Sequence, residues 1–512
     1  MIKINQNYIN SIFKILTFFT LGFYIYNSFI QAKYEILFID ERLLIDDIYN
    51  FWLIDDTFNR FAKSEDSFLK SILIIGTELA YGGDLRYGRL WSNFFTLTIG
   101  YFSLINDSFL IIASRLLNTL IYFYANFLIV KYMVDKKYFW ICLFSIYSLP
   151  GVELLHRITK PETISLLFLA FAFLFTVKEK LYKAIFCLAT ATFIKINFIF
   201  IFICFLLYFL NLELLNRLRF IVKSSLITFF ALIIVNPILI IPPVKIGSIE
   251  FPNFYKIYFG WLSSQSQSGN NIQFNLDIFS QWRETISNFY LHSNNFDFIL
   301  LLITTSFIIL IFNVVKSKNP MFYVLLCSTA SYFLFYLLLI ERQYIWYLTL
   351  PLTLYLLLWF GLIAKTKHSM VRKSVLSIII IFSLFGSVSN ISNLIEQKKF
   401  NANSRYGYVG IESVEDVVFQ INNVHSIIET LYIQNDHLTT NVIYWHPDLF
   451  IPRNKVTYDS FYYIREYWGS KDSPLSALED ADMFVTYSNY GVGIGYEVFQ
   501  IENLYIYLKD QN

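Results

Sequence analysis

The sequence predicts a polytopic α-helical membrane protein with a small α/β domain at its C-terminal end. Of its 512 residues, 56% are apolar and only 15% are charged, whereas a soluble domain carries about 25% charge. Apolar runs such as SLLFLAFAFLFTV and LITFFALIIVNPILII recur up to about residue 390, as expected of membrane-spanning helices. Beyond about residue 400 the composition is that of a soluble domain.

The apolar runs predict about eleven transmembrane helices within a membrane domain that spans 1–398. The first helix is expected to be retained, because no small-residue cleavage site follows it. Two long outer connections, 32–107 and 243–296, interrupt the series. The predicted spans are 11–31, 108–131, 138–155, 161–177, 184–194, 198–211, 221–242, 297–315, 320–340, 345–364 and 374–391.

The soluble α/β domain is predicted to comprise 399–512. The stretch VEDVVFQINNVHSIIETLYI has helical spacing, and TTNVIYW, ADMFVTYS and ENLYIYL predict short strands. GVGIG (491–495) lacks the strand–turn–helix setting of a nucleotide-binding loop and predicts a turn or hairpin. The four cysteines all fall in apolar runs without disulfide or metal spacing, so we interpret them as small buried hydrophobic residues.

Basic residues in the short connections predict the orientation. With the N-terminus in the cytoplasm, every short basic connection lies on the cytoplasmic side, and the C-terminal domain lies outside. This requires that 184–211 form two short segments that meet near Lys195, because one continuous span would invert every later connection. Half-length segments are tolerated where protein or water lines the break. We expect a bacterial inner membrane with the C-terminal domain in the periplasm.

On this topology the lone ionisable groups collect at the outer face. They lie in the acidic stretch 38–56, in YGGDLRYGRLW (81–91), HRITKPE (156–162) and ERQY (341–344), and at Lys195. Transfer of a sugar from a lipid-linked phosphate requires one carboxylate to deprotonate the acceptor hydroxyl. It also requires cations to stabilise the departing phosphate. The outer charges therefore match the minimum set for this reaction.

Several motifs resemble those of the GT-C membrane glycosyltransferases, and in particular glycosyltransferase family 39, with the protein O-mannosyltransferases and the aminoarabinose transferase of lipid A. FIDE resembles the Asp-Glu pair that opens their first outer loop. INDSFLIIASRLLNTLIYF resembles the start of their second span, with Arg115 in the arginine place. RITKPE and ERQYIWYLTLPLTLYL resemble the starts of later spans. Order and spacing agree over about residues 10–390. The first loop departs from the family in having no His-Pro-Pro; Tyr81-Gly82-Gly83 and Tyr87-Gly88 stand in its neighbourhood.

The resemblance implies a GT-C fold and an inverting transfer from a polyprenyl-phosphate sugar to a lipid, glycan or protein acceptor. It implies Asp40 as the general base, with Glu41 shaping the site or assisting. The best candidates for binding the donor phosphate are Arg86, Arg89, Arg157, Lys160 and Arg342. No metal-ligand set is predicted; some relatives use a divalent cation, with which the acidic pairs here are compatible. The net charge of +2 gives no indication of nucleic-acid binding.

Structural explanations stay open beside these roles. We interpret four acids of the first outer loop as a solvated helix face or as N-caps: Asp46, Asp47, Asp55 and Asp56. Arg86 and Arg89 are suited to anchoring at the membrane interface. Arg115 is suited to pairing with a loop carboxylate.

Two alternative functions also stay open. One is a transporter or flippase of an anionic lipid or glycan, although transporters usually contain internal repeats and none is visible. The other is a non-catalytic membrane scaffold.

Overall fold

The computed structural model describes residues 6–33, 41, 44–45, 47–48, 51–52, 79, 88–105, 107–212, 217–237, 245–246, 249–250, 296–317, 319–338, 345–366, 369–395, 442–444, 483–486, 495–501 and 504–509. These residues are mostly helical. The helices are α1 (Gln6–Lys33), α2 (Arg89–Ile99), α3 (Asp107–Met133), α4 (Phe139–Tyr147), α5 (Val152–Arg157), α6 (Pro161–Val177), α7 (Leu181–Ile194), α8 (Ile199–Leu212), α9 (Arg217–Val235), α10 (Phe296–Ser317), α11 (Pro320–Leu338), α12 (Thr349–Lys365) and α13 (Ser369–Ile395).

Four of these helices are long and apolar enough to cross a membrane: α1, α3, α9 and α13. In the other helices, the apolar stretches with described side chains are 10–17 residues long. Every predicted span contains helix, while the number of eleven crossings stays a prediction. The predicted span 138–155 is divided into α4 and α5, because Pro150 cannot continue a helix and Gly151 adopts a φ of 79°.

The core of the bundle is built around α6, which packs against α3 on one side and α7 on the other. Pro161 occupies the first helical position of α6, where its missing N–H costs no hydrogen bond. Phe173 of α6 lies against Phe205 of α8, with ring centroids 5.4 Å apart. The buried apolar side chains form one large cluster through these helices, which explains why the short helices hold together.

The chain reverses its direction at Lys195, between α7 and α8. Lys195 has extended backbone angles (φ −141°, ψ 112°), and its Nζ lies 3.1 Å from Oε1 of Glu162 in the first turn of α6. Ten residues further on, Phe205 lies beside Phe173, so α8 runs alongside α6 in the same direction. The two-segment interpretation of 184–211 is therefore the one that the contacts support.

Basic residues gather at the opposite end of the bundle from Lys195. The ring of Tyr138, just before α4, lies 6.2 Å from Phe360 near the end of α12. Lys365, the last residue of α12, lies 4.6 Å from the ring of Phe322 at the start of α11. Helix ends that carry lysines thus meet one another, as the predicted topology requires. Which end faces the cytoplasm stays a prediction.

The C-terminal residues that the structure describes form a four-stranded sheet. Its strands are β3 (Val442–Tyr444), β4 (Met483–Thr486), β5 (Tyr496–Ile501) and β6 (Leu504–Lys509), in the order β3-β4-β6-β5. β3 and β4 are parallel, and the other pairs are antiparallel. A separate short ribbon joins β1 (Lys245–Ile246) and β2 (Ile249–Glu250). The three predicted strands are confirmed, whereas the predicted helix lies outside the described residues.

The cysteines agree only in part with their interpretation as buried hydrophobic residues. All four are free thiols, and Cys142 and Cys187 are buried. Cys204 is partly buried, and Cys327 is exposed on α11. The expectation of burial was wrong for Cys327, because an apolar run on a bundle surface includes residues on its outer face.

Candidate functional site

The segment between α5 and α6 holds several helices together through polar contacts. Asn118 of α3 donates from Nδ2 to the carbonyls of Leu155 (2.7 Å) and Ile158 (3.0 Å). The hydroxyl of Thr119 donates to the carbonyl of His156 at 3.0 Å. Carbonyl groups that the end of α5 leaves without helical partners are thereby satisfied. The backbone of this segment is consequently fixed to α3.

Glu41 and Arg115 form a buried bidentate ion pair within this region. Nε and Nη2 of Arg115 donate to Oε1 and Oε2 of Glu41, each at 2.8 Å. The backbone N–H and hydroxyl of Thr159 also approach Oε1 of Glu41, both at 3.3 Å. The side chain of Glu41 is fully buried. Both of its oxygens therefore already accept charge-assisted hydrogen bonds. In this conformation Glu41 holds Arg115 and Thr159 in place.

Lys160 is the residue that precedes α6, and it is buried despite its charge. Its exposed fraction is 1%, and its backbone N–H donates to Oδ1 of Asn118 at 3.3 Å. Since Thr159 contacts Glu41, the two predicted site residues Glu41 and Lys160 lie in one region. A buried ammonium is stable only beside polar or anionic groups, so Lys160 marks this end of the bundle as strongly polar.

Glu162 and Lys195 complete the region with a second ion pair. Nζ of Lys195 lies 3.1 Å from Oε1 of Glu162, and the two side chains are only 10% and 15% exposed. The other carboxylate oxygen, Oε2, is buried without a hydrogen-bond partner among the described residues. We call the set Glu41, Arg115, Thr159, Lys160, Glu162 and Lys195 the polar cluster. It joins the residues that follow α1 to α3, α6 and the α7–α8 turn.

A cavity adjoins the polar cluster, and it encloses about 470 Å³ including its open mouth. The rings of Tyr336 and Tyr347 are stacked at its wall, with centroids 5.2 Å apart and an interplanar angle of 19°. Four apolar side chains, three leucines and one phenylalanine, complete the lining together with polar ones. Its lining includes Tyr122, Glu162, Asn197, Tyr336, Tyr347 and Thr353.

His156 is enclosed by three tyrosines next to this cavity. Its ring lies 5.2 Å from Tyr24, 4.9 Å from Tyr122 and 5.1 Å from Tyr147. Neither ring nitrogen has a hydrogen-bond partner among the described residues. Burial lowers the pKa of His156 from 6.5 to about 3. The imidazole is therefore neutral at physiological pH and serves as an aromatic packing element.

Arg89 lies outside the polar cluster, where it pairs with Asp47. Nη1 of Arg89 is 3.1 Å from Oδ2 of Asp47, and both side chains are buried. Nε of Arg89 donates to the carbonyl of Leu79 at 3.2 Å. The expectation of a solvated Asp47 was wrong, because the carboxylate is buried against a guanidinium that comes from 42 residues later in the chain.

The other predicted site residues lie outside the part of the chain that the structure describes, wholly or in their side chains. Asp40, Arg86 and Arg342 lie outside the described residues, as does the side chain of Arg157, whose backbone ends α5. Their roles stay predictions, as do those of Glu41, Arg89 and Lys160. Sequence reasoning did not predict the pairing of Glu162 with Lys195. The usable signal was the presence of one acid and one base at neighbouring helix ends in an otherwise apolar stretch.

No protein-family model matches the chain, and no curated protein matches it in sequence.

Proposed function

We propose that this protein is an inverting glycosyltransferase of the membrane surface, which moves a sugar from a polyprenyl-phosphate donor to an acceptor hydroxyl. The observation that carries the proposal is the polar cluster, because buried carboxylates and cations converge there at one end of an apolar helical bundle. Apolar helices suit the isoprenoid tail, and cations suit the phosphate where the tail ends. The resemblance to the GT-C transferases adds the same expectation.

In this proposal Asp40 is the general base. Glu41, the next residue in the chain, is held by Arg115 and Thr159, and we propose that this contact helps to position Asp40. Fixing a base within about 0.5 Å of its working position requires this kind of support. Arg86, Arg157, Lys160 and Arg342 are proposed to neutralise the phosphate. Arg89 is a weaker candidate for binding the phosphate, because it already pairs with Asp47.

The test is sugar transfer by the full chain in nanodiscs, with a panel of polyprenyl-phosphate sugars and an envelope extract as acceptor. We expect Asp40→Asn to reduce the rate by at least about 100-fold, as loss of a general base does. Asp135→Asn is the matched control, because Asp135 is partly exposed beside Lys137 and asparagine replaces aspartate well as an N-cap. Full activity of a folded Asp40→Asn variant contradicts the assignment of the base.

One observation favours a second candidate, a transporter or flippase of an anionic lipid or glycan. The chain is non-helical at Lys195, between two helices of 14 residues each, and interrupted helices often form substrate sites in transporters. An assay of lipid flipping by the same purified protein, reconstituted in vesicles, distinguishes the transporter from the transferase. Flipping without consumption of any donor favours the transporter, and consumption of the donor favours the transferase.

A further inference from the structure

We propose that the cavity beside Glu162 binds an uncharged sugar ring, with Glu162, Asn197 and Thr353 contacting its hydroxyl groups and the stacked tyrosines packing on its apolar face. The inference rests on the proposed function and deepens it, because it assigns the carbohydrate part of the reaction to one cavity.

The charges at the cavity disfavour two common kinds of small ligand, free phosphate and metal cations. Glu162 contributes one negative charge and Lys195, 3.1 Å away, contributes one positive charge. A free phosphate in the cavity would face the carboxylate of Glu162, and a metal cation on that carboxylate would lie near the ammonium of Lys195, which contacts Glu162 from outside the lining. Either ligand would be desolvated beside a group of its own sign, which is costly in a buried site. A neutral ligand avoids both penalties.

The polar groups of the cavity match hydroxyl groups. Oε2 of Glu162 is a buried acceptor without a partner among the described residues, and such a group is costly unless a ligand or water donates to it. The amide of Asn197 offers both donors and an acceptor. The hydroxyl of Thr353 already donates to the carbonyl of Thr349 at 2.7 Å, so it remains available as an acceptor. Sugar hydroxyl groups both donate and accept, so several of them can form hydrogen bonds with Glu162, Asn197 and Thr353.

The aromatic wall matches the other face of a sugar ring. Tyr336 stacks against both Tyr347 and Tyr332, so in this proposal the sugar packs on the outer face of Tyr347. The negative face of an aromatic ring attracts C–H groups that carry partial positive charge. A pyranose has such C–H groups on one side and hydroxyl groups around its edge. The cavity presents the complementary surfaces.

The first arm of the test measures binding without requiring catalysis. Saturation-transfer NMR on the full chain in nanodiscs, free of glycoside detergents, uses a panel of free monosaccharides. We expect at least one monosaccharide to bind and its signal to fall at least fivefold in Glu162→Gln and in Thr353→Val. Thr176→Val is the matched control, because Thr176 makes the same hydroxyl-to-carbonyl bond near the far end of α6 and should bind like wild type.

The second arm separates a donor sugar from an acceptor sugar. Affinity is measured for a polyprenyl-phosphate sugar, for polyprenyl phosphate without sugar, and for an oligosaccharide. If Thr353→Val weakens only the first ligand, the cavity holds the donor's sugar. If it weakens only the oligosaccharide, the cavity holds the acceptor's. If wild type binds no monosaccharide, or if folded cavity variants bind like Thr176→Val, the inference is overturned, whether or not transfer activity is observed.

Discussion

At the scale of single residues, Arg115 illustrates how a guanidinium is accommodated among apolar helices. Its Nε and Nη2 are occupied by Glu41, and its Nη1 approaches the carbonyl of Ser28 at 3.5 Å. A buried pair of this kind contributes little relative to apolar residues, but removing one partner leaves an uncompensated charge. The pair therefore specifies the arrangement of α1, α3 and the segment around Glu41 more than it adds stability.

We predict that Arg115→Met lowers the free energy of unfolding by about 3–5 kcal/mol, because Glu41 then remains buried without its cation. The double variant Glu41→Leu/Arg115→Met should recover at least half of that loss. Thermal unfolding in nanodiscs measures both, with Arg219→Met as the control, since Arg219 is exposed on α9. Strict additivity of the two single substitutions contradicts a coupled pair.

His156 supplies a prediction about pH. Its pKa is about 3 in the folded protein against an ordinary 6.5, so between these values the unfolded chain binds a proton that the folded chain excludes. The free energy of unfolding must therefore fall as pH falls below 6.5, by up to about 1.4 kcal/mol per pH unit from this group. His156→Phe retains a ring between the tyrosines and removes the titration.

The midpoint of thermal unfolding tests this from pH 7.5 down to 4.5. Wild type and His156→Phe should have similar midpoints at pH 7.5, and the variant should become progressively more stable than wild type on acidification. A constant difference between the two proteins across that range refutes a neutral buried imidazole.

At the scale of elements, the start of α2 depends on a close approach to the end of α9. Gly88 precedes α2 with a φ of 69°, a conformation that side chains with a Cβ rarely adopt. A Cβ at this position would also overlap the side chain of Val235, the last residue of α9. The glycine thus lets the connection that carries Arg89 pass directly over α9.

Gly88→Ala should therefore lower stability, by about 1–3 kcal/mol from the backbone and about 1–3 kcal/mol from overpacking. Gly22→Ala is the control of opposite sign, because Gly22 lies inside α1 with open space where the Cβ would stand. Alanine there should gain up to about 1 kcal/mol through helix propensity. Unfolding midpoints of the two variants compare these effects, and a stable Gly88→Ala variant would show that this approach can relax.

At the scale of the whole molecule, the reversal at Lys195 determines the course of every helix that follows. Glu179 lies in the tight turn between α6 and α7 with a φ of 57°, and Ile196, just after Lys195, is 56% exposed. The two positions lie at opposite ends of α7. The reversal thus fixes on which side each later connection emerges.

We predict that single cysteines placed at Glu179 and Ile196, in a background without the four native cysteines, react from opposite sides of the membrane. An impermeant maleimide applied to spheroplasts should label Ile196→Cys and spare Glu179→Cys until the membrane is opened. Labelling of both cysteines before the membrane is opened would contradict the two-segment arrangement. Labelling of Glu179→Cys alone would show that the orientation is the reverse of the predicted one.

Sequence reasoning located the helices because apolar runs and basic connections are local signals. It predicted the break at Lys195, since one continuous span would have placed the later basic connections on the outer side, and it considered a loop carboxylate as the partner of Arg115. It did not find which carboxylate pairs with which cation, because such pairs join residues 42 and 74 positions apart. It also missed the division of α4 from α5, although Pro150-Gly151 signals a break.

The Glu162–Lys195 ion pair also bears on the order in which the protein is made. Its two residues lie at the distal ends of consecutive helices, α6 and α7, so they can neutralise each other as soon as this helical hairpin leaves the ribosome and translocon. Pairing removes the net charge of Glu162 and Lys195 at this end of the hairpin, which would reduce the cost of placing either charge in a membrane. Arg115 is synthesised later than Glu41 and meets it only once α1 and α3 lie together. The Glu162–Lys195 pair thus forms within one hairpin, whereas the Glu41–Arg115 pair forms only when distant helices assemble.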